Sequence, residues 1–371
     1  MTEFAIHQQS VQGDEGTWPL QLEVLLIDAS GKFERVRVVA DSAVTRVPSL
    51  IGRVAPACVL LNPRDIAYGQ FLLDDRSRDW LVDHAQNIED PLVRAVAMSA
   101  LFDTVRETKL DPARFATTAL RLLAGESDAG THAWLLGALR VCLLRYMSGT
   151  RSEPLLQKLT EILLTQLEGS AADLKTQVLR FLLAYTHGPQ ATSLCQRVVA
   201  NQAPAPGVTL GRRDRFLAAA ALVARGYGRK VLEDLVTSMG QSDVGREAFL
   251  AGAADPSSKE QYFQNYLGLD VPEQWTIDSL GNFHWPGQDE ATLPYLRRAL
   301  ERVEWVKANR RVFFMPAWVD AFINGHSSQQ ALDVVQRFLA DNQGLSADIR
   351  RKILQSMDSL KRAVAIRSRW K

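Results

Sequence analysis

The stretch Tyr68-Gly-Gln-Phe-Leu-Leu-Asp74 runs without a break into Asp75-Arg-Ser-Arg-Asp-Trp-Leu81. Asp90-Pro-Leu-Val-Arg94 and Ala100-Leu-Phe-Asp-Thr-Val-Arg106 follow. Here the hydrophobic period changes from two to helical, and this change decides the fold. Asp90 before Pro91 puts a carboxylate at an N-cap and a proline at the first helical position, and Asp111-Pro112 repeats the device.

Upstream, the pattern is that of strands. Leu20, Leu22, Val24 and Leu26 alternate with Gln21, Glu23 and Leu25. Asp28-Ala-Ser-Gly31 supplies turn chemistry, and Lys32–Val39 follows as the partner strand of a hairpin. Further strands are expected at Ala43–Val47, Cys58–Leu61 and Tyr68–Leu73, the first two ending at Pro48 and at Asn62-Pro63. Short strands and frequent turns predict a compact antiparallel sandwich. Downstream, Leu156, Leu159, Leu163 and Leu167 form a stripe at helical spacing, as do Ile353, Met357, Leu360 and Val364. Roughly fourteen to sixteen helices of ~10–20 residues fit this region. Gly207, Gly240, Gly252, Gly287, Gly325 and Gly344 fall between segments, and Asn201–Gly207 reads as a surface loop.

The expected fold class is therefore mainly α: a small N-terminal antiparallel β-sandwich over residues 1–74, then a large HEAT-like helical superhelix over 75–371. Consecutive helical hairpins cannot each close a core, so they stack and present a concave face.

Bulk properties exclude several classes. Across 371 residues, 43 basic groups face 42 acidic ones for a net charge of +1, so no global field favours nucleic acid or an anionic membrane. No apolar run approaches the ~20 residues that span a bilayer, and Met1–His7 has no signal-peptide pattern. A soluble cytoplasmic protein is expected. Cys58, Cys142 and Cys195 are far apart and read as buried reduced thiols, not as a disulfide framework or thiolate metal site.

The phrases around the junction resemble the boundary between the small β-sandwich and the C-terminal helical domain of zinc aminopeptidases of the aminopeptidase N family. Lys259-Glu-Gln-Tyr-Phe-Gln-Asn-Tyr-Leu267, Phe283-His-Trp-Pro-Gly-Gln288 and Leu293-Pro-Tyr295 continue the resemblance in order. So do Ala331–Leu339, Ile349–Leu354 and Leu360–Ala363. Phe4-Ala-Ile-His-Gln-Gln9 is similar to the second strand of the family's sandwich, which implies a sandwich without its first strand.

In that family the catalytic domain lies ahead of these two. Its zinc is held by two histidines one helical turn apart and a later carboxylate, with a glutamate as general base. No His-Glu-x-x-His and no Gly-x-Met-Glu-Asn occurs in this sequence, so no catalytic or metal-binding residue carries over. The resemblance implies a non-catalytic C-terminal part that encloses the active-site chamber and gates peptide entry. Its partners would be a catalytic N-terminal half, which binds the zinc, and peptides. This chain itself would carry no cofactor. The alternative is a free-standing helical-repeat binding module without peptidase activity.

The remaining chemistry-bearing residues are sparse. The six histidines, His7, His84, His132, His187, His284 and His326, are scattered, and surface or capping roles are expected for them. No Gly-x-Ser-x-Gly elbow occurs, and Gly226-Tyr-Gly-Arg-Lys230 reads as a basic helix–helix turn, lacking P-loop spacing. The basic segment from Arg350 to Lys371 reads as a solvated outer helix whose cations complement its dipole. Trp275, Trp285, Trp305 and Trp318 read as packing wedges. Arg310 and Arg311 are the candidate peptide-binding residues, through bidentate contact with a terminal carboxylate.

Overall fold

The computed structural model describes residues 1–10, 16–169, 172–240 and 244–371. The chain groups into two compact units, Met1–Glu126 and Ser127–Lys371.

In the first unit, β2 (Leu20–Ile27) is the central strand of three, antiparallel to β3 (Phe33–Ala40) and to β5 (Cys58–Leu61). The register sets Val24 opposite Val36 and Leu25 opposite Leu60. A second sheet pairs β1 (Ala5–His7) with β4 (Val44–Arg46). The β2–β3 hairpin turns as its sequence predicts: the Asp28 carboxylate accepts from the Ser30 and Lys32 amides at 2.8 and 3.0 Å, and Gly31 takes φ +85°. Leu22, Val24, Leu26 and Val38 from one sheet meet Ile6, Val47 and Leu50 from the other side in one apolar cluster. Leu25, Ile27, Cys58 and Leu60 point the other way and are also buried, next to the first helix. Because both faces of β2 are covered, Leu25 interrupts its alternation.

Three helices belong to this unit: α1 (Asp75–His84), α2 (Pro91–Arg106) and α3 (Pro112–Leu123). Asp74, Asp90 and Asp111 cap them, each accepting backbone N–H groups of the first turn, an effect worth about 1 kcal/mol apiece. At the junction, Ser77 Oγ donates to Asp74 Oδ2 at 2.7 Å and accepts from the Val59 amide at 2.8 Å. One hydroxyl thereby links the α1 cap to strand β5.

The strand expected at Tyr68–Leu73 does not form. Asn62, at φ 54°, folds its side chain over the next turn, accepting from the Ile66 and Ala67 amides at 3.0 Å and donating to Ala67 O at 2.9 Å. These bonds satisfy backbone groups that a ladder would have used. Tyr68 is left exposed, and Phe71 packs against the sandwich core.

The second unit is entirely helical among the described residues. Its elements are α4 (Ala129–Val141), α5 (Gly149–Gly169), α6 (Ala172–Tyr185), α7 (Pro189–Val199), α8 (Arg212–Ala224), α9 (Lys230–Met239) and α10 (Gly245–Gly252). Then come α11 (Lys259–Leu267), α12 (Glu273–Phe283), α13 (Asp289–Glu301), α14 (Val303–Asn309), α15 (Phe314–Asn324), α16 (Gln329–Asp341) and α17 (Ala347–Arg369). Seventeen α-helices in the described residues slightly exceed the expected number, because short pieces such as α14 break at turns that periodicity alone does not resolve. Packing is mostly between sequence neighbours, as in a helical repeat array. α17 also returns to pack against the turn Cys142–Tyr146 near the start of the unit.

The leucine stripe of α5 and the Ile353, Met357 and Leu360 positions of α17 are buried as expected. Trp318 is fully buried among Phe263, Tyr266, Phe314 and Phe322, and its indole N–H donates to Ala299 O at 3.0 Å. Gly226–Lys230 forms the α8–α9 turn, with positive φ at Gly226 and Gly228. All three cysteines are buried thiols outside any disulfide. Among the described residues no helix is long and apolar enough to cross a membrane.

Candidate functional site

Within the second unit, three chain turns converge on one cavity of about 450 Å³. The first follows α4, where the backbone passes into a single π-helical turn, Cys142–Tyr146. Such turns widen a helix locally and recur at functional sites. It carries Arg145, and Arg140 precedes it one turn back in α4. The second is the α12–α13 connection, His284-Trp-Pro-Gly-Gln288, where Gly287 takes φ +82°. The third is the end of α15, Gly325-His326-Ser327. Tyr185 and Asp320 also line the space.

The two histidines are the unexpected feature. His326 is 1% exposed, and neither ring nitrogen has a hydrogen-bond partner. His284 is half-buried as a residue, yet both of its ring nitrogens are shielded from water and unpartnered. The surface or capping role expected from sequence is therefore wrong for both side chains. Burial holds the His284 imidazole well below its usual pKa, reinforced by His326 and Lys259. Burial, with the charge of Arg145, brings His326 down to about 4. Both rings are neutral at pH 7, so each offers one donor and one acceptor.

The charged residues around the rings are also incompletely matched. Arg145 donates to Asn324 Oδ1 at 2.9 Å and to the Asn324 backbone oxygen, and no carboxylate lies within ion-pair distance among the described residues. Burial lowers its pKa. Asp289, in the first turn of α13, has no side-chain partner among the described residues. It is open to solvent on one side, but the surrounding protein still raises its pKa, with Arg367 and Arg145 opposing. Asp320 differs: it accepts from Asn324 Nδ2 at 2.8 Å and from Ser356 Oγ at 3.1 Å, and Lys352 approaches at 3.9 Å. Arg140 lies over the Tyr185 ring at 5.2 Å.

Of the other histidines, His84 and His187 lie at the surface as expected, and His132 does not. His84 stacks on Trp80, and His187 meets Glu153 at the surface. His132 is buried, with its nitrogens bonded to Gln166 and Gln177 at 3.0 and 2.9 Å. Among the described residues no three His, Cys, Asp or Glu side chains converge as metal ligands. The C-terminal basic residues are partly tied down, Lys352 by Asp320, Arg362 by Asp358 and Arg367 by Ser327.

Arg310 and Arg311 do not line the cavity. Arg310 turns inward: its guanidinium donates to Tyr266 O at 2.9 Å and to Gly268 O, closing the C-terminus of α11, and it stacks over Phe314 at 4.9 Å. The Arg311 side chain is 92% exposed, with Glu273 3.9 Å away. Adjacent in sequence, the two serve different surroundings.

The sequence of the helical region also matches a known family. The ERAP1-like C-terminal domain matches residues 58–362, well over half the chain. The chain belongs to that family. This ERAP1-like domain is also similar to aminopeptidase N of Streptomyces lividans, at 25% identity over 386 residues. The alignment covers 98% of this chain and 44% of the relative, so the chain spans less than half that protein's length. The similarity to the C-terminal half of the aminopeptidase N family, read first from phrases such as Phe283–Gln288, is thus established. The ERAP1-like domain is aminopeptidase-related. The burial of the histidine pair was not legible in the sequence, since nothing local distinguishes His284 or His326 from a surface residue.

Proposed function

We propose that this chain is the non-catalytic C-terminal part of a zinc-dependent aminopeptidase, enclosing the active-site chamber and gating peptide access. The observation that carries the reading is the alignment with aminopeptidase N along nearly the whole chain, joined to a sequence with no His-Glu-x-x-His. Among the described residues no three His, Cys, Asp or Glu side chains come together as a zinc site would need; a catalytic half would hold the metal. Residues 1–74 and 75–371 act as sandwich and helical domains. The protein works in the cytoplasm, on peptides and not on nucleic acid or membranes. Exposed Arg311 is the member of the arginine pair placed to meet a peptide carboxylate, with Arg310 holding the local backbone.

The test is complementation. The purified chain should not hydrolyse an aminoacyl anilide with or without zinc. Mixing with the catalytic half of a family aminopeptidase should give a stable complex and chelator-sensitive turnover. Turnover by the chain alone, or failure to associate, would overturn the proposal, and failure to associate would favour a free-standing binding module.

A further inference from the structure

In the second unit α4, α6, α8, α10, α12, α15 and α17 pack each upon the next. The last of them, α17, packs on the turn Cys142–Tyr146 that follows α4, so the row closes on itself as a ring. The other links join helices near one another in sequence. The closing link joins the two ends of the unit: Arg151 and Trp370, bonded across it, are 219 positions apart.

The links are built differently. Arg180 of α6 meets Asp214 of α8 at 2.7 Å, Arg246 of α10 meets Asp278 of α12, and Lys352 of α17 approaches Asp320 of α15. An apolar core running from Ala253 to Leu360 fastens α12, α15 and α17 together. Among the described residues that core includes none from α4, the turn or α5. Burial on α17 thins beyond Leu360 to Ala363 and Ile366. At the closing link, Arg145 donates to the side-chain and backbone oxygens of Asn324, and Arg151 donates to the backbone oxygen of Trp370. These acceptors are uncharged, and water can replace either partner at small net cost.

The cavity of about 450 Å³ lies along the same junction, with Arg140, Arg145 and Tyr185 on one wall and Asp289, Asn324 and His326 on the other. Open volume there takes the place of side-chain contact. His326 stands beside Asn324 in sequence and keeps both ring nitrogens unbonded while the ring is closed. Opening that brings water to them removes a penalty of the closed form. A link poor in apolar contact, held by replaceable bonds and flanked by empty space, is where a fold opens at least cost.

We propose that the second unit is a latched ring, which opens between α17 and the turn after α4 while its other links stay closed, with Arg145 and Arg151 as the latch. The opening is a property of this chain alone. Its use as a gate for peptides rests on the aminopeptidase reading.

The experiment is a pulsed electron-spin distance measurement on the full chain, with no catalytic half present. Spin labels at Thr150→Cys and Ser368→Cys span the closing link, and labels at Thr176→Cys and Arg213→Cys span the α6–α8 link. All four positions are exposed and the native thiols are buried, so labelling is selective. Each labelled pair is measured with the latch arginines intact and with Arg145→Gln and Arg151→Gln combined. With the latch intact, the closing pair should sit mainly at one short distance, with a longer population of about a tenth or less. Without the latch, that longer population should grow at least about fivefold. The α6–α8 pair should keep one distance in both proteins. The proposal is overturned if the closing pair gives the same distribution with and without the latch arginines. It is also overturned if the α6–α8 pair lengthens alongside it, because the variant then loosens everywhere and not at one link. A ring that opens in a chain that fails complementation would sink the aminopeptidase reading alone. A ring that stays shut despite successful complementation would sink this proposal alone.

Discussion

The imidazole of His284 stands 5.4 Å from that of His326, with the ring planes at 88° to one another. One ring closes α12 and the other follows α15, so two helix ends are fixed edge-to-face without a hydrogen bond between them. The packing requires both rings to be neutral.

Acid should therefore loosen this contact. The folded pKa of His326 is about 4 against an ordinary 6.5, so between these values the unfolded chain takes up a proton that the folded chain refuses. Its contribution to stability is intact above pH 6.5 and is lost as pH falls toward 4, on the order of 3 kcal/mol at most. His284 acts in the same direction. Denaturant unfolding measured across this window should show a shallower pH slope in His326→Gln than in the wild type. Equal slopes would contradict the assignment.

Gly325 makes the His284 position possible. Its φ is −64°, so backbone freedom is not the reason for glycine. A Cβ there would lie 2.5 Å from His284 Cγ and 2.8 Å from Ala321 O. Gly325→Ala should destabilise by about 1–3 kcal/mol through overpacking. Adding His284→Ala should recover part of that loss, and strictly additive effects would show that the ring is not what Gly325 accommodates.

Lys259 is 2% exposed, donates to Ala253 O at 2.7 Å and lies over the Phe283 ring. Burial brings its pKa down to about 7 from 10.5, with Asp255 opposing. The unfolded chain binds the extra proton between those values, so stability rises with pH through that window. Lys259→Met, which keeps the apolar stem, should gain on the wild type most near pH 7. The gap should shrink as the solution is made more alkaline. A gap independent of pH would mean that the ammonium costs the fold nothing.

Arg310 and Arg311 should separate cleanly under mutation. Arg310→Ala strips two carbonyls at the end of α11 of their donor and removes a ring contact, a loss of about 1–3 kcal/mol. Arg311→Ala should stay within about 0.5 kcal/mol, because its side chain is exposed. Paired thermal melts would read the difference; comparable losses would refute the division of roles.

The amino-acid order by itself determined the start of the helical region after Asp74, the caps at Asp90 and Asp111, the β2–β3 turn and the buried stripes of α5 and α17. Each of these is set within one or two turns of chain, by a carboxylate beside free amides or by apolar residues at a fixed period. Local pattern misled at Tyr68–Leu73, where the Asn62 side chain claims the backbone groups. The cavity was decided by tertiary structure alone. Arg145, His284, Asp289 and His326 come from separate turns, and their burial, their missing partners and their shared space exist only once α4, α12, α13 and α15 have packed. Those properties depend on which distant surfaces exclude water from each side chain, and no spacing along the chain encodes that.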